Sequence, residues 1–306
     1  MRALITGATG FVGRHLLAQL PGPVHVLSRD AARAERTLAK FDVRAFRWDP
    51  DEPAPLPQAA FDGVDVVFNL AGESIAEGKW TDEKKRRIRD SRVVGTRKLV
   101  EAISVLDPRP RVLINASAVG WYGDRGEALL TEDEPPAADF LGSVCVEWER
   151  EAMRAASAGL RVVTPRLGVV LGRDGGALEK MLPVFKWGAG GKLGSGEQYV
   201  PWIHIEDLVR LLLFAATHET LSGAVNATSP NPVTNAHFTK AMGEATHRPT
   251  LFGAPKFALK ALAGEMSDLL LYSQRVVPAK ALAAGFAFLH PEIEEALVDL
   301  LKSPAS

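Results

Sequence analysis

Three glycines near the start of the chain, Gly7, Gly10 and Gly13 in G-A-T-G-F-V-G, have a spacing that can hold a phosphate. They follow the apolar run at residues 2–6 and precede "GRHLLAQL", whose apolar positions have a helical period. A chain turning this tightly from strand to helix needs bare backbone at three places: the turn, the approach of a pyrophosphate, and the contact of helix with sheet. The helix start adds N–H donors and a positive dipole end. The spacing predicts a dinucleotide site on Gly7, Thr9, Gly10, Phe11, Val12 and Gly13; a glycine-rich turn without ligand is the alternative. The end of the second strand, "VLSRD", bears on which nicotinamide is held. An acid there would accept from a ribose 2′-hydroxyl. This chain has Ser28 and Arg29, and a guanidinium pairs with a 2′-phosphate through charge-assisted bonds. NADP(H) is expected over NAD(H), with Asp30 left to cap the next helix; a solvated Arg29 is the bland alternative. "NLAGE", residues 69–73, ends another strand on the same crevice. There Ala71 and Gly72 are small enough for a ribose or pyrophosphate to lie close.

The elements that must position these residues alternate regularly. "RALIT", "VHVLS", "VRAFRW", "VDVVFNLAG" and "RVLINASA" have strand character. "DAARAERTLAKF", residues 81–106 and "GSVCVEWEREAMRAASAG" have helical character, and "LRVVTPRLGVVLG" is expected as one further strand. Strands alternating with helices imply βαβ units, a doubly wound parallel sheet with helices on both faces. Nearly continuous apolar runs such as "VDVVFNL" fit strands buried on both sides. After Gly172 the chain becomes glycine-rich and is expected to be an irregular excursion. "EDLVRLLLFAATH" then reads as a helix and "GAVNAT" as a strand. From Asn235 onward the chain is expected to be mostly helical, broken at Pro249, Pro255, Pro278 and Pro291. The expected division is a nucleotide domain at residues 1–172, its sheet completed at about 200–230, and a smaller, mostly helical lobe from 173–199 and 231–306.

Composition narrows the function classes. Of 306 residues, 46% are hydrophobic and 24% charged, and the net charge is -1. No bulk electrostatic argument favours nucleic acid or an anionic membrane. The single Cys145 excludes an internal disulfide and suits a reducing compartment. It lacks companions at metal-ligand spacing, so no metal is expected. There is no targeting pattern at the start, and no run near the roughly 18 apolar residues of a membrane span. The expectation is a soluble, cytoplasmic protein acting on a small molecule, its oligomeric state open.

A longer series of motifs runs in order: "GATGFVG", "VLSR", "NLAGESI", "RDSRVVGT", "ASAVGWYGDRG", "DFLGSVCVEWE", "GVVLGRDGGAL", "LGSG" and "WIHIEDL". The tail "GEMSDLLLYSQRVVPAKALAAGF" continues it. Together they resemble the epimerase-family branch of the extended short-chain dehydrogenase/reductases, whose members are described as nucleoside-diphosphate-sugar epimerase-like. The resemblance implies a Rossmann-like NADP(H) domain, a branch-specific C-terminal region, and hydride exchange on a small molecule such as a nucleotide sugar. By position it puts Leu70 and Ala71 beside the nicotinamide-side ribose, and Val170 near the nicotinamide. Trp48 and Asp49 fall near the adenine, and Arg92 stands where extended members keep an Asn. Ordinary core packing is the plain reading of Val93, Val94 and Val170.

The superfamily's chemistry uses a Tyr that exchanges a proton with the substrate oxygen and a Lys that lowers the Tyr pKa, four apart on one helix. The matching positions here are Phe140 and Val144, and residues 139–151 hold neither Tyr nor Lys. Ser117 matches the superfamily's Ser or Thr and is the first catalytic candidate. Tyr122, in "GWYGD", is the second. Its ordinary pKa near 10 would need a nearby cation, Arg92 or Arg166. Glu73 and Glu147 are further acid–base candidates. Trp187, Gly194, Ser195, Gln198, Trp202 and His204 are candidates to face a ligand, His204 more simply as a structural hydrogen-bonding residue. "LGSG" offers N–H groups to a phosphate. Two functions stand side by side: an NADP(H)-linked oxidoreductase or nucleotide-sugar epimerase, and a non-catalytic NADPH-binding module.

Overall fold

Parallel strands joined by helices bury both sheet faces, and the strand sequences here are apolar enough to allow it. The structure, a computed structural model, describes residues 1–302. The last four residues of the expected helical lobe, 303–306, lie outside the described residues. The chain begins with β1 (Ala3–Thr6), α1 (Phe11–Leu17), β2 (Val24–Ser28), α2 (Ala31–Thr37), β3 (Val43–Arg47) and β4 (Val66–Asn69). The long α3 (Asp82–Ser104) leads to β5 (Val112–Asn115), the short β6 (Ser117–Ala118) and β7 (Leu129–Leu130), then α4 (Phe140–Met153). Next come β8 (Arg161–Leu167), β9 (Val169–Gly172), α5 (Gly176–Lys186), β10 (Tyr199–Val200), β11 (Trp202–His204) and α6 (Ile205–Thr217). The remainder is β12 (Gly223–Ala227), β13 (Val233–Thr234), α7 (Asn235–Thr246), α8 (Lys256–Ala263), α9 (Asp268–Leu271), β14 (Arg275–Val276), α10 (Ala279–Ala283) and α11 (Ile293–Leu301).

The main sheet has the order β12-β8-β5-β4-β1-β2-β3, with β6 added alongside β8. Every pairing in it is parallel. This is the doubly wound, Rossmann-like α/β fold that the alternation predicts. Side chains alternate between faces along each strand. Ile5, Val26, Phe68, Ile114 and Val163 join one core with Leu16 of α1 and Leu208 and Leu212 of α6. Leu4, Leu27, Val67, Leu113 and Val162 join the other with Leu99, Val100 and Ile103 of α3. The strand order reverses between β1 and β4, and in such sheets the reversal opens a crevice at the carboxyl ends of the strands.

Local caps fix where helices start. The side chains of Asp30, Thr81 and Asp139 accept from the N–H groups of Arg33, Lys84 and Gly142, which sets the first turns of α2, α3 and α4. The cap at Asp139 starts α4 at Phe140, earlier than the "GSV" suggested by periodicity. Two other expectations change. The expected single strand at residues 160–172 is two. Gly168 divides it where a Cβ would come 2.2 Å from the Pro201 carbonyl oxygen, and β9 then leaves the main sheet to pair with β11. The glycine-rich stretch also contains a helix, α5, with Leu178, Met181, Leu182 and Phe185 facing the core at helical spacing. The C-terminal helices break at the expected prolines. Asp207, in the first turn of α6, accepts the N–H groups of Leu289 and His290 at 2.8 Å each and so ties the C-terminal segment to the core. No described helix is long and apolar enough to cross a membrane.

Candidate functional site

The carboxyl edge of the sheet is fixed by a buried polar chain before any ligand is considered. Thr6 at the end of β1 donates to Asn69 Oδ1 at the end of β4 (2.6 Å), and Asn69 Nδ2 donates to Thr96 Oγ1 and Asn115 Oδ1 (2.9 and 2.6 Å). Trp148 of α4 donates its indole N–H to Thr96 at 2.9 Å. Each member is buried and hydrogen-bonded, so the chain specifies one arrangement of the strand ends.

The glycine loop rests on this edge. Gly7 has φ +72, and a Cβ there would lie 2.9 Å from the Leu70 carbonyl oxygen and the Ala71 nitrogen. A Cβ at Gly13 would lie 2.5 Å from the Gly7 carbonyl oxygen and 2.7 Å from Ala8 Cα. Gly7 makes the turn and Gly13 brings the helix against it, as the sequence predicts. No side chain caps α1 and no acid stands in its first turn, so negative charge is not opposed there. Phe11 turns away from the loop and packs its ring under Gly172, Gly175 and Gly176, while Val12 packs against the core.

The loop opens into a cavity of about 340 Å³, lined by Gly7, Thr9, Gly10, Ser28, Arg29, Trp48, Leu70, Ala71, Gly72 and Glu73 among others. Asp30 is occupied as the cap of α2, and Ser28 hydrogen-bonds locally to Asp30. Arg29 is thus the basic side chain at the β2 end of the cavity, whose lining also includes Asp51 past the end of β3. These residues fit a dinucleotide: a Cβ at Gly7 or Gly13 would collide with backbone, and the pocket continues from the loop to Trp48. A second hollow, of about 410 Å³ and lined by Met1, Arg2, residues 21–23, Gly63 and Asp65, lies at the opposite end of the strands. It is away from the glycine loop and from the carboxyl ends of the strands.

Beyond Gly72 the site becomes cationic. Arg92 of α3 lies directly behind Gly72, whose Cβ would meet the guanidinium at 3.1 Å. It donates to the carbonyls of Glu73 and Ile88 at 3.0 Å each and stands 5.2 Å over the Trp148 ring. Burial lowers its pKa from the ordinary arginine value. Among the described residues it has no carboxylate partner within salt-bridge distance. Glu73 is engaged by Lys84 at 2.7 Å, with Arg87 further off at 3.6 Å, and the Lys84 hydrogen bond holds its carboxyl below the usual range. Glu147 is held by Arg89 at 3.2 Å. Neither carboxylate is a free acid or base.

The catalytic candidates lie deeper. Ser117 and Arg166 are directly paired across β6 and β8. Ser117 donates to Glu149 Oε1 at 2.6 Å, and Arg166 grips the same carboxylate through Nε at 2.8 Å and Nη2 at 3.0 Å. Tyr122 is wholly buried; it donates to Asn226 Oδ1 at 2.6 Å and accepts from Arg166 Nη1 at 3.0 Å. The cation anticipated beside it is present, yet burial outweighs that charge and pushes the hydroxyl up to about 12. Its proton and its acceptor capacity are both spent within the protein. Tyr122 thus stands in a buried network, its hydroxyl bonded to Asn226 and Arg166 rather than free. Phe140 and Val144 occupy the Tyr and Lys positions. Phe140 packs edge-on against Trp80, with Lys85 5.4 Å over its ring, and Val144 is core. Sequence reasoning missed Glu149; the only signal was an acid in the middle of an apolar helix face.

Of the residues expected to face a ligand, Trp202, Gln198 and His204 are engaged within the protein, and Trp187 is exposed. Trp202 is fully buried and bonded to Asn231, and Gln198 ties Leu193 to Leu270. Trp187 is 88% exposed. His204 accepts from the Glu206 N–H through Nδ1 at 3.1 Å, capping α6, so its Nε2 bears the proton in the neutral ring. That Nε2 is 3.6 Å from Asp299, and the ring stacks on His290 at 3.9 Å. His204, His290 and Asp299 come within metal-ligand reach of one another. With Nδ1 taken by the cap, the proton on Nε2 leaves His204 no lone pair for a metal, and among the described residues this buried Nε2 has no hydrogen-bond partner. Val170, on β9, is half-buried against the core.

Comparison with known proteins places this geometry. Residues 3–227 match the NAD dependent epimerase/dehydratase family, and residues 254–300 match a domain of unknown function, DUF1731. The chain belongs to the NAD dependent epimerase/dehydratase family. Within the family it is 42% identical over 294 residues to an epimerase family protein of Mycobacterium bovis, covering 96% of this chain and 95% of that one. It is 40% identical over 302 residues to the chloroplastic SDR39U1 homolog of Arabidopsis thaliana, covering 97% and 86%. The crystal structure of human epimerase family protein SDR39U1 with NADPH superposes with a TM-score of 0.86 at 32% identity, covering 98% of this chain and 99% of that one. The family resemblance read from the motifs is thus shown, including its C-terminal domain.

Proposed function

We propose that this chain is an NADP(H)-binding oxidoreductase or nucleotide-sugar epimerase working by hydride exchange without a Tyr-Lys pair. Residues 1–172 would hold the cofactor and the later lobe, 173–199 and 231–306, the substrate. The observation that carries the reading is the cavity joining the Gly7–Gly13 turn to Arg29, with Asp30 withdrawn into a helix cap. The NADPH in the human relative supports the same cofactor preference. Gly7, Thr9, Gly10, Phe11, Val12 and Gly13 would take the pyrophosphate, mostly through backbone N–H groups. Ser28 and Arg29 would hold the 2′-phosphate, with Leu70, Ala71, Gly72, Arg92 and Val170 toward the nicotinamide. The bound nicotinamide would supply or accept the hydride, and the accompanying proton of the substrate oxygen would pass through Ser117 to or from Glu149. The protein's part is to orient the substrate oxygen at Ser117 and to keep Arg92 as the positive charge that the missing lysine would have provided. Tyr122 would act only by positioning Arg166. The single cysteine supports a reducing compartment, the cytoplasm.

The second reading, a non-catalytic NADPH-binding module, is favoured by one observation: Phe140 and Val144 can transfer no proton. The two readings separate by experiment. Calorimetry with NADPH and NADH, on the wild type and Arg29→Ala, tests the cofactor site. An NADPH preference that the variant loses supports it, and equal binding of the two removes it. Turnover of NADP(H) with nucleotide sugars then distinguishes enzyme from module.

A further inference from the structure

Trp187, Leu251, Phe252, Phe257 and Leu262 are each at least 70% exposed, and among the described residues Val105 is the only other large apolar side chain so placed. The five belong to one neighbourhood. Trp187 ends α5, and the chain then runs beside residues 252–254. There the Ala254 N–H reaches the Lys192 carbonyl and the Gly194 N–H the Ala254 carbonyl, at 2.9 Å each. A Cβ at Gly191 would strike the Phe252 carbonyl oxygen. Pro255 starts α8, which holds Phe257, Leu259 and Leu262 yet buries no side chain among the described residues. A helix this apolar ordinarily hides one face, as α11 does with Ile293, Leu297 and Leu300.

The charges of the same segments have one sign. Residues 183–193 and 247–263 hold Lys186, Lys192, Arg248, Lys256 and Lys260 and no acid, in a chain whose net charge is -1. All five cations are exposed, and among the described residues none has a carboxylate within salt-bridge distance. Of the acids flanking these segments, Glu244 and Glu265 are taken by Lys240 and Lys85, and Glu179 and Glu197 stand beyond either end of the first.

We propose that this face docks on a membrane surface that contains anionic lipid. Trp187, Phe252 and the apolar side chains of α8 enter the boundary between headgroups and acyl chains, and the five cations meet the lipid phosphates. Apolar area and charge act together in such binding, and each basic residue at an anionic surface adds severalfold to the affinity. The attachment is peripheral, with α8 in the plane of the surface. A second copy of this chain is the poorer occupant. A two-fold contact lays a patch against itself and would oppose five unpaired cations to five. None of these residues lines the cofactor cavity, so the inference stands apart from the functional reading above.

The test is flotation of the full chain with vesicles. It should bind vesicles of phosphatidylcholine mixed with phosphatidylglycerol, and bind phosphatidylcholine alone at least about tenfold more weakly. High salt should weaken the binding to the mixed vesicles. Lys256→Gln with Lys260→Gln should weaken it at least about tenfold, and Phe252→Ser with Phe257→Ser should do the same. Val105→Ser, as exposed but at the far end of α3, should leave it unchanged. The substituted side chains are exposed, so both double variants should keep the wild-type urea midpoint and NADPH affinity. No binding to the mixed vesicles, equal binding to both kinds, or full binding by either double variant overturns the inference. So does an equal loss in Val105→Ser. A concentration-dependent dimer in sedimentation that Trp187→Ser abolishes would assign the face to a second copy and overturn it too.

Discussion

Arg166 holds both oxygens of Glu149, at 2.8 and 3.0 Å, with the two side chains only 3% and 10% exposed. Burial pulls the guanidinium pKa down, and the carboxylate beside it more than restores it. Breaking such a pair leaves an uncompensated charge in the interior. Arg166→Ala is expected to lower unfolding free energy by about 3–5 kcal/mol. The double replacement by methionines should cost distinctly less than the single one. Urea denaturation of the three proteins checks this, and equal losses for the single and double variants would contradict it.

The glycine turn gives a prediction that concerns binding more than folding. Gly7→Ala puts a Cβ 2.9 Å from the backbone of Leu70 and Ala71 at a φ of +72. The strain of that backbone alone is about 1 kcal/mol, and relieving the contact moves the loop off its phosphate-binding geometry. NADPH affinity by calorimetry should fall by at least about tenfold. Gly78→Ala, also at positive φ but with nothing within 4 Å, should leave affinity unchanged.

Tyr122→Phe removes a hydroxyl bonded to Asn226 and Arg166. Two buried polar groups each lose a partner, at a cost of about 1–3 kcal/mol. The expected phenotype is a lower melting temperature with unchanged NADPH binding. A variant of wild-type stability that has lost all turnover would instead restore Tyr122 as an acid.

His204 makes stability depend on pH. Burial, with His290 beside it, lowers its pKa to about 4 from the ordinary 6.5. Between those values the unfolded chain binds a proton that the folded chain refuses. Stability therefore falls as pH drops from about 6.5 to about 4 and changes no further on this account below that, a total of about 3 kcal/mol. His204→Asn keeps a side-chain acceptor for the cap of α6 and removes the titration. Denaturation midpoints across pH 4 to 7 should slope for the wild type and flatten for the variant.

Much of this protein was legible in the sequence because it depends on neighbours along the chain. The strand and helix periods, the caps at Asp30, Thr81 and Asp139, and the glycine turn are set within a few residues. So is the absence of Tyr and Lys from residues 139–151. The helix α5 was legible too, in Leu178, Met181, Leu182 and Phe185, but the glycines around it hid the period. Tertiary structure alone decided the partners of buried charges and hydroxyls. Ser117 and Glu149 are 32 positions apart, and Tyr122 and Asn226 are 104 apart. Whether Tyr122 gives a proton or spends it, and whether Ser117 donates or accepts, follows from which distant group satisfies each one. A buried polar atom must find a partner, and the packing of β8 against β6 and α4 determines which partner is within reach.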